Sequence, residues 1–158
     1  MNENNLIKNG DFAGGKLEPW VASDKTVKVV EEEGRHYVRI PATYNVHQNP
    51  QVPTGPSVLE FHARTRERLD EGQAIIFIAA LAIQLTDGSI SLLPFAGSVT
   101  LDEWQLFTFK VPQHDAVKVT LQITPLGATD GSRLSDLKNL AVGTVEFKLF
   151  SLTPRVLG

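Results

Sequence analysis

From Thr26 onward the chain alternates apolar and polar residues in short runs separated by turn-forming residues. Period-two alternation sends successive side chains to opposite faces of an extended strand, whereas an amphipathic helix needs apolar residues three and four apart. That property restricts the chain to sheet architectures. The clearest run is Ser57–Arg64, where Leu59, Phe61 and Ala63 face one way and Glu60, His62 and Arg64 the other. Residues 26–31 and 36–40 flank a Glu33-Gly34 turn and read as a hairpin, with residues 44–48 as a further short strand. Prolines at 50, 53 and 56 keep the following segment extended.

Ala74–Leu85 is apolar on both faces. Ile75, Phe77, Ala79, Leu81 and Ile83 line one side, and Ile76, Ile78, Ala80 and Ala82 the other. The Ile-Ile-Phe-Ile sequence favours a strand covered on both sides over a helix. The run is also shorter than the roughly 20 apolar residues that span a bilayer, so no membrane span is expected. An Asp87-Gly88 turn then predicts a hairpin with residues 90–95. Residues 104–111 alternate again. Val117, Val119, Leu121 and Ile123 keep strict period two against Lys118, Thr120, Gln122 and Thr124, and residues 144–152 form a closing strand. Residues 64–71 read as a solvated loop and 127–142 as a long irregular connection, with a helical turn expected over 132–140. About eight to ten regularly spaced strands and almost no helix predict an all-β antiparallel sandwich or jelly roll. No repeat, low-complexity tract or linker divides the 158 residues, which read as a single domain over 1–158.

Composition excludes several chemistries. Fifteen basic residues against 18 acidic ones give a net charge of −3, without the basic footprint of a nucleic-acid partner. There is no cysteine, hence no disulfide, thiolate nucleophile or Cys-ligated zinc. The four histidines (His36, His47, His62 and His114) show none of the close pairing that presents two imidazoles to one metal. No Gly-x-Ser-x-Gly elbow occurs, and Gly14-Gly15 precedes no helix that could cradle a phosphate. A non-catalytic protein with no cofactor is the expectation. Residues 1–4 are polar, so an N-terminal secretory signal is not expected; the reading is a cytoplasmic protein, or one exported without such a signal.

The segment before the alternation begins has a different character. Asn5-Leu6-Ile7-Lys8-Asn9-Gly10-Asp11-Phe12, followed by Pro19-Trp20, combines three apolar anchors, a tight Asn-Gly turn and an indole suited to plugging a core edge. This opening resembles that of carbohydrate-binding modules of the family 4/9/22 type, which are galactose-binding-domain-like jelly rolls. Three further stretches are similar in the same order: residues 51–64, residues 101–109 around Trp104-Gln105, and residues 145–154. The resemblance implies a galactose-binding-domain-like sandwich, with Trp20 and Trp104 as core or edge plugs. It also implies a structural calcium held by an acid after Phe12 and by aspartates on the last strand. Here Ala13, Lys148 and Leu149 stand at those positions, so that metal site is expected to be absent.

Carbohydrate recognition on a sheet uses an aromatic surface against sugar C–H groups, and amides or charged groups for the hydroxyls. The outward-facing residues that could supply these are Tyr44, His47, Gln48, His62, Arg64 and Gln84. The face bearing Glu60, His62 and Arg64 reads by default as an ordinary solvated surface. The resemblance implies non-catalytic, lectin-like binding of a glycan. The alternative is a protein-interaction or assembly module of the kind found in bacterial toxins and phage tails. In that reading the chain associates with itself through the apolar face of Ile76, Ile78, Ala80 and Ala82.

Overall fold

The computed structural model describes residues 5–100, 102–113, 115–129, 137–139 and 143–155. Two antiparallel sheets face each other across one apolar layer. Sheet I runs β1 (Val21–Ala22), β4 (Val46–Gln48), β9 (Ala116–Thr129), β6 (Ala74–Leu85), β7 (Ile90–Val99), with β10 (Leu137–Asn139) beside the end of β9. Sheet II runs β2 (Lys28–Glu32), β3 (Arg35–Ile40), β11 (Val145–Pro154), β5 (Ser57–Arg64), β8 (Gln105–Val111). The all-β jelly-roll sandwich expected from the alternation is what forms.

Alternation decides which residues meet. Leu59, Phe61 and Ala63 of β5 and Ile75, Phe77, Ala79, Leu81 and Ile83 of β6 are all buried. Phe61 sits at the centre, its ring 5.1–5.9 Å from those of Phe77, Phe107, Phe109, Phe147 and Phe150. Packing is close enough that a Cβ on Gly97 of β7 would lie 2.4 Å from the Phe77 ring. The hairpin turns fall where expected. Glu33 and Gly34 both take positive φ, as a two-residue hairpin turn requires.

Two expectations fail for local reasons. Val117 is exposed rather than in the core, because β9 carries a bulge: Gln84 pairs with Lys118 but Leu85 with Ala116, leaving Val117 as the extra residue. The helical turn expected over 132–140 is contradicted at residues 137–139, which pair with β9 as a strand. The rest of that segment lies outside the described residues.

The N-terminal segment fastens both sheets. Asn5 acts as a clamp: its Oδ1 accepts from the Ile7 and Leu152 amides, and its Nδ2 donates to the Phe150 carbonyl. At the Asn-Gly turn, Asn9 adopts a left-handed φ and donates through Nδ2 to the carbonyls of Lys16 and Glu18. Gly10 passes so close to β11 that a Cβ there would stand 2.1 Å from the Phe150 carbonyl oxygen. Trp20 is buried against Phe12 and Phe150, and its indole N–H donates to the Asn9 carbonyl. The indole plug expected there is present.

Candidate functional site

The inner faces of both sheets are consumed by the core, so the strand side chains left accessible are those of the outer faces. The residues expected to line a site divide between them. On sheet I, the pairings set the outer side chains in rows. One row runs Val21, His47, Gln122, Ala80, Pro94; the next is Thr120, Ala82, Leu92; the third is Lys118, Gln84, Ile90. Thr124, Ile78 and Ala96 form a further row on the other side of the first. His47 and Gln84 thus share one face. They are two strands and four residues apart, or roughly 16 Å from standard strand spacings. Tyr44 is exposed in the connection leading into β4.

This face has a particular chemistry. Small aliphatic side chains of β6 (Ile78, Ala80, Ala82) form a half-buried floor, and Leu92 and Ile90 of β7 stand exposed at 67% and 66% beside it. On the other flank β9 presents Thr120, Gln122 and Thr124. Thr120 donates to Asn49 Oδ1 at 2.8 Å, and Gln122 makes only a long 3.4 Å contact to Thr124. The side-chain amide of Gln84 forms no hydrogen bond within the described protein. Lys118 is the one Lys, Arg, Asp or Glu in these rows. The surface therefore offers apolar contact and unused amide and hydroxyl groups with almost no charge. Thr120, Gln122 and Thr124 were visible in the sequence as the polar half of an alternating run, but nothing there said which loop or sheet they would face.

Two of the expected site residues are buried rather than displayed on an outer face. Gln48 is buried: its Oε1 accepts from the Lys8 amide and its Nε2 donates to the Lys8 carbonyl, so it completes the backbone pairing of the N-terminal segment. Arg64 is on the outer face of sheet II, but it too is buried, with only 6% of its surface exposed. It donates through Nε to Glu146 at 2.8 Å and through Nη2 to Glu32 at 3.1 Å, and Trp104 covers its guanidinium at 4.2 Å. Trp104 accordingly is not a core plug. It packs edge-on to Tyr37 and lies against the Lys148 ammonium, 4.2 Å from the ring centre.

His62 lies on that same face, paired across the strands with Lys148. Burial holds its pKa below the usual imidazole value, helped by the Lys148 charge and opposed by Glu60. Its Nδ1 has no hydrogen-bond partner among the described residues. His114 lies outside the described residues.

The corner where the resemblance would place calcium is bounded by Asp11, Ala13, Lys148 and Leu149. A single aspartate at a corner that also holds a lysine is not a donor set for a hard divalent cation, which wants several anionic or carbonyl oxygens. Among the described residues no group of three or more His, Asp or Glu side chains is placed to hold a metal.

Neither a protein-family model nor a curated protein sequence matches the chain. Solved structures do. TmCBM61 in complex with beta-1,4-galactotriose aligns at 18% identity and a TM-score of 0.65, over 96% of this chain and 99% of its own. The fold is that of a carbohydrate-binding-module jelly roll. The CBM22-1 xylan-binding domain of Paenibacillus barcinonensis Xyn10C aligns with a TM-score of 0.64 at 11% identity, over 91% of this chain and 90% of the domain. The same sandwich is matched in the enzymatically active domain of Bacteriophage CBA120 tailspike protein 4, with a TM-score of 0.65 at 12% identity. There the match covers 95% of this chain but only 21% of the phage chain.

Proposed function

We infer that the protein is a non-catalytic carbohydrate-binding module that takes an uncharged oligosaccharide along the outer face of sheet I. The observation that carries this reading is the juxtaposition, on one nearly charge-free surface, of the Ile78, Ala80 and Ala82 floor with Gln84, Thr120, Gln122 and Thr124. A sugar ring has apolar C–H faces and a rim of hydroxyls. Small floor residues let the ring approach, while amides both donate to and accept from hydroxyls. Because similar modules carry galactotriose or are named for xylan, β-1,4-linked galactan and xylan oligosaccharides are the first ligands to try.

Calorimetric titration of the protein with these oligosaccharides, with and without chelator, tests the reading. Saturable binding is expected, insensitive to chelator and weakened about 3- to 10-fold by Gln122→Ala or Gln84→Ala, the worth of one hydrogen bond. An absence of binding to any neutral oligosaccharide, or undiminished binding by both variants, would remove it.

The exposure of Ile90 and Leu92 beside the same floor favours a second reading, self-association through that face. A sugar-silent protein that sediments as a dimer, and as a monomer after Leu92→Glu, would replace the first reading with this one.

A further inference from the structure

Two open cavities of about 340 and 360 Å³ lie side by side on the sheet II side of the molecule, and Arg35, His36 and Lys148 line both. Lys148 points outward by ordinary alternation with buried Phe147, and the bulge that follows it, with Leu149 at positive φ, returns Phe150 to the core. Its ammonium rests on Trp104 and forms no ion pair among the described residues; Arg35 likewise has no carboxylate partner there.

Three carboxylates line the same cavities, but none lies within ion-pair distance of Lys148 or Arg35. Glu32 already receives Arg64 and Arg66, Asp11 caps the Ala13 amide, and Glu33 sits exposed on the hairpin turn. Burial followed by the Arg35 and Arg64 charges lowers the Lys148 pKa, so the cation is held among cations. Such a site is relieved by an anion.

We propose that the joined cavities bind an acidic saccharide, seating a carboxylate or sulfate group between Lys148 and Arg35 with the sugar ring at the edge of Trp104. A saccharide rather than a bare ion fits the space, since the joined cavities fall within the range of small-molecule ligand sites of about 300–1,000 Å³. A guanidinium gives two parallel donors to an oxyanion, and an ammonium adds a point charge. This site lies on the opposite sheet from the neutral-sugar face and does not depend on it.

Trp104 supplies the readout, because Trp20 is buried away from the cavities. Fluorescence titrations would use oligogalacturonate and a sulfated galactan oligosaccharide, with the uncharged galactan oligosaccharide and inorganic sulfate as comparisons. A saturable change is expected with at least one acidic oligosaccharide, weakened about tenfold or more by Lys148→Met and by Arg35→Gln. It should weaken as salt is raised from about 50 to about 500 mM and be unaffected by Gln122→Ala. Arg35 is exposed, so its variant keeps the test sound if Lys148→Met fails to fold. Equal binding of the uncharged oligosaccharide, undiminished binding by both variants, or inorganic sulfate binding as tightly as the acidic sugars would each overturn the proposal. Failure here leaves the sheet I titration untouched.

Discussion

Replacing Glu146 by glutamine tests how much of sheet II is held by charge. The Glu146 side chain is 2% exposed and takes three guanidinium donors: Arg39 at 2.9 Å on Oε2, and Arg64 at 2.8 Å and Arg66 at 3.2 Å on Oε1. The substituted amide would keep the shape but remove the charge, and would turn its NH₂ toward one of the guanidiniums. Arg39 and Arg66 are about half exposed and can rehydrate. Arg64 cannot; it retains Glu32 and its contacts with the Trp104 and Tyr37 rings. Breaking a buried charge pair by removing one partner costs about 3–5 kcal/mol. For a chain of this length each kcal/mol moves Tm by about 2–4 °C, so Glu146→Gln should melt about 6–20 °C lower. Calorimetry and urea titration would measure this, with an unchanged urea slope showing that the folded state is otherwise intact. The deficit should persist in about 0.5 M salt, since buried pairs are poorly screened. A loss below about 1 kcal/mol, or one erased by salt, would mean that the network behaves as surface ion pairs, and the reasoning would be wrong.

Other perturbations probe separate parts of the structure. Gly10→Ala should cost about 2 kcal/mol or more, because its Cβ meets the Phe150 carbonyl rather than a flexible side chain; chemical denaturation that finds it neutral would contradict the close approach. His62 has a lowered pKa in the folded state, with burial as the main cause, so the unfolded chain binds the proton first as pH falls. Stability should therefore be flat above about pH 7 and decline below the ordinary histidine value near 6.5. His62→Gln should flatten the Tm–pH curve in that window, and an unchanged slope would show that His62 is not responsible.

Much of the architecture was legible because strand alternation encodes burial directly. Leu59, Phe61 and Ala63, or Ile75 through Ile83, could be assigned to the core from spacing alone. What resisted reading were side chains whose fate depends on a partner distant in sequence. Gln48 is polar and would be expected at the surface, yet Lys8 presents a bare backbone edge that only an amide can satisfy from both sides. Arg64 alternates with core residues and so points outward, as read; its burial comes from Trp104, Glu32 and Glu146, three segments that converge only in the folded sheet. Val117 obeys the alternation and still leaves the core, because a bulge is invisible to periodicity. The sheet I face was half visible. His47 and Gln84 were found by polarity, whereas their grouping with Gln122 and Thr120 is a consequence of strand order.

The order of sheet II has a consequence for synthesis. Its central strand is β11, residues 145–154, flanked by β3 and β5 that are made long before it. Until those residues have left the ribosome, the β2–β3 hairpin and the β5–β8 strand pair are separate and have unpaired inner edges, and the N-terminal segment lacks the Phe150 and Leu152 backbone groups that anchor it. Completion of sheet II is thus deferred until residues 145–154 are made and depends on contacts between segments more than 80 residues apart, the arrangement that gives slow folding and exposes strand edges to other chains meanwhile. A nascent chain halted before residue 145 should remain protease-sensitive and prone to association, and should become resistant once β11 is free to insert.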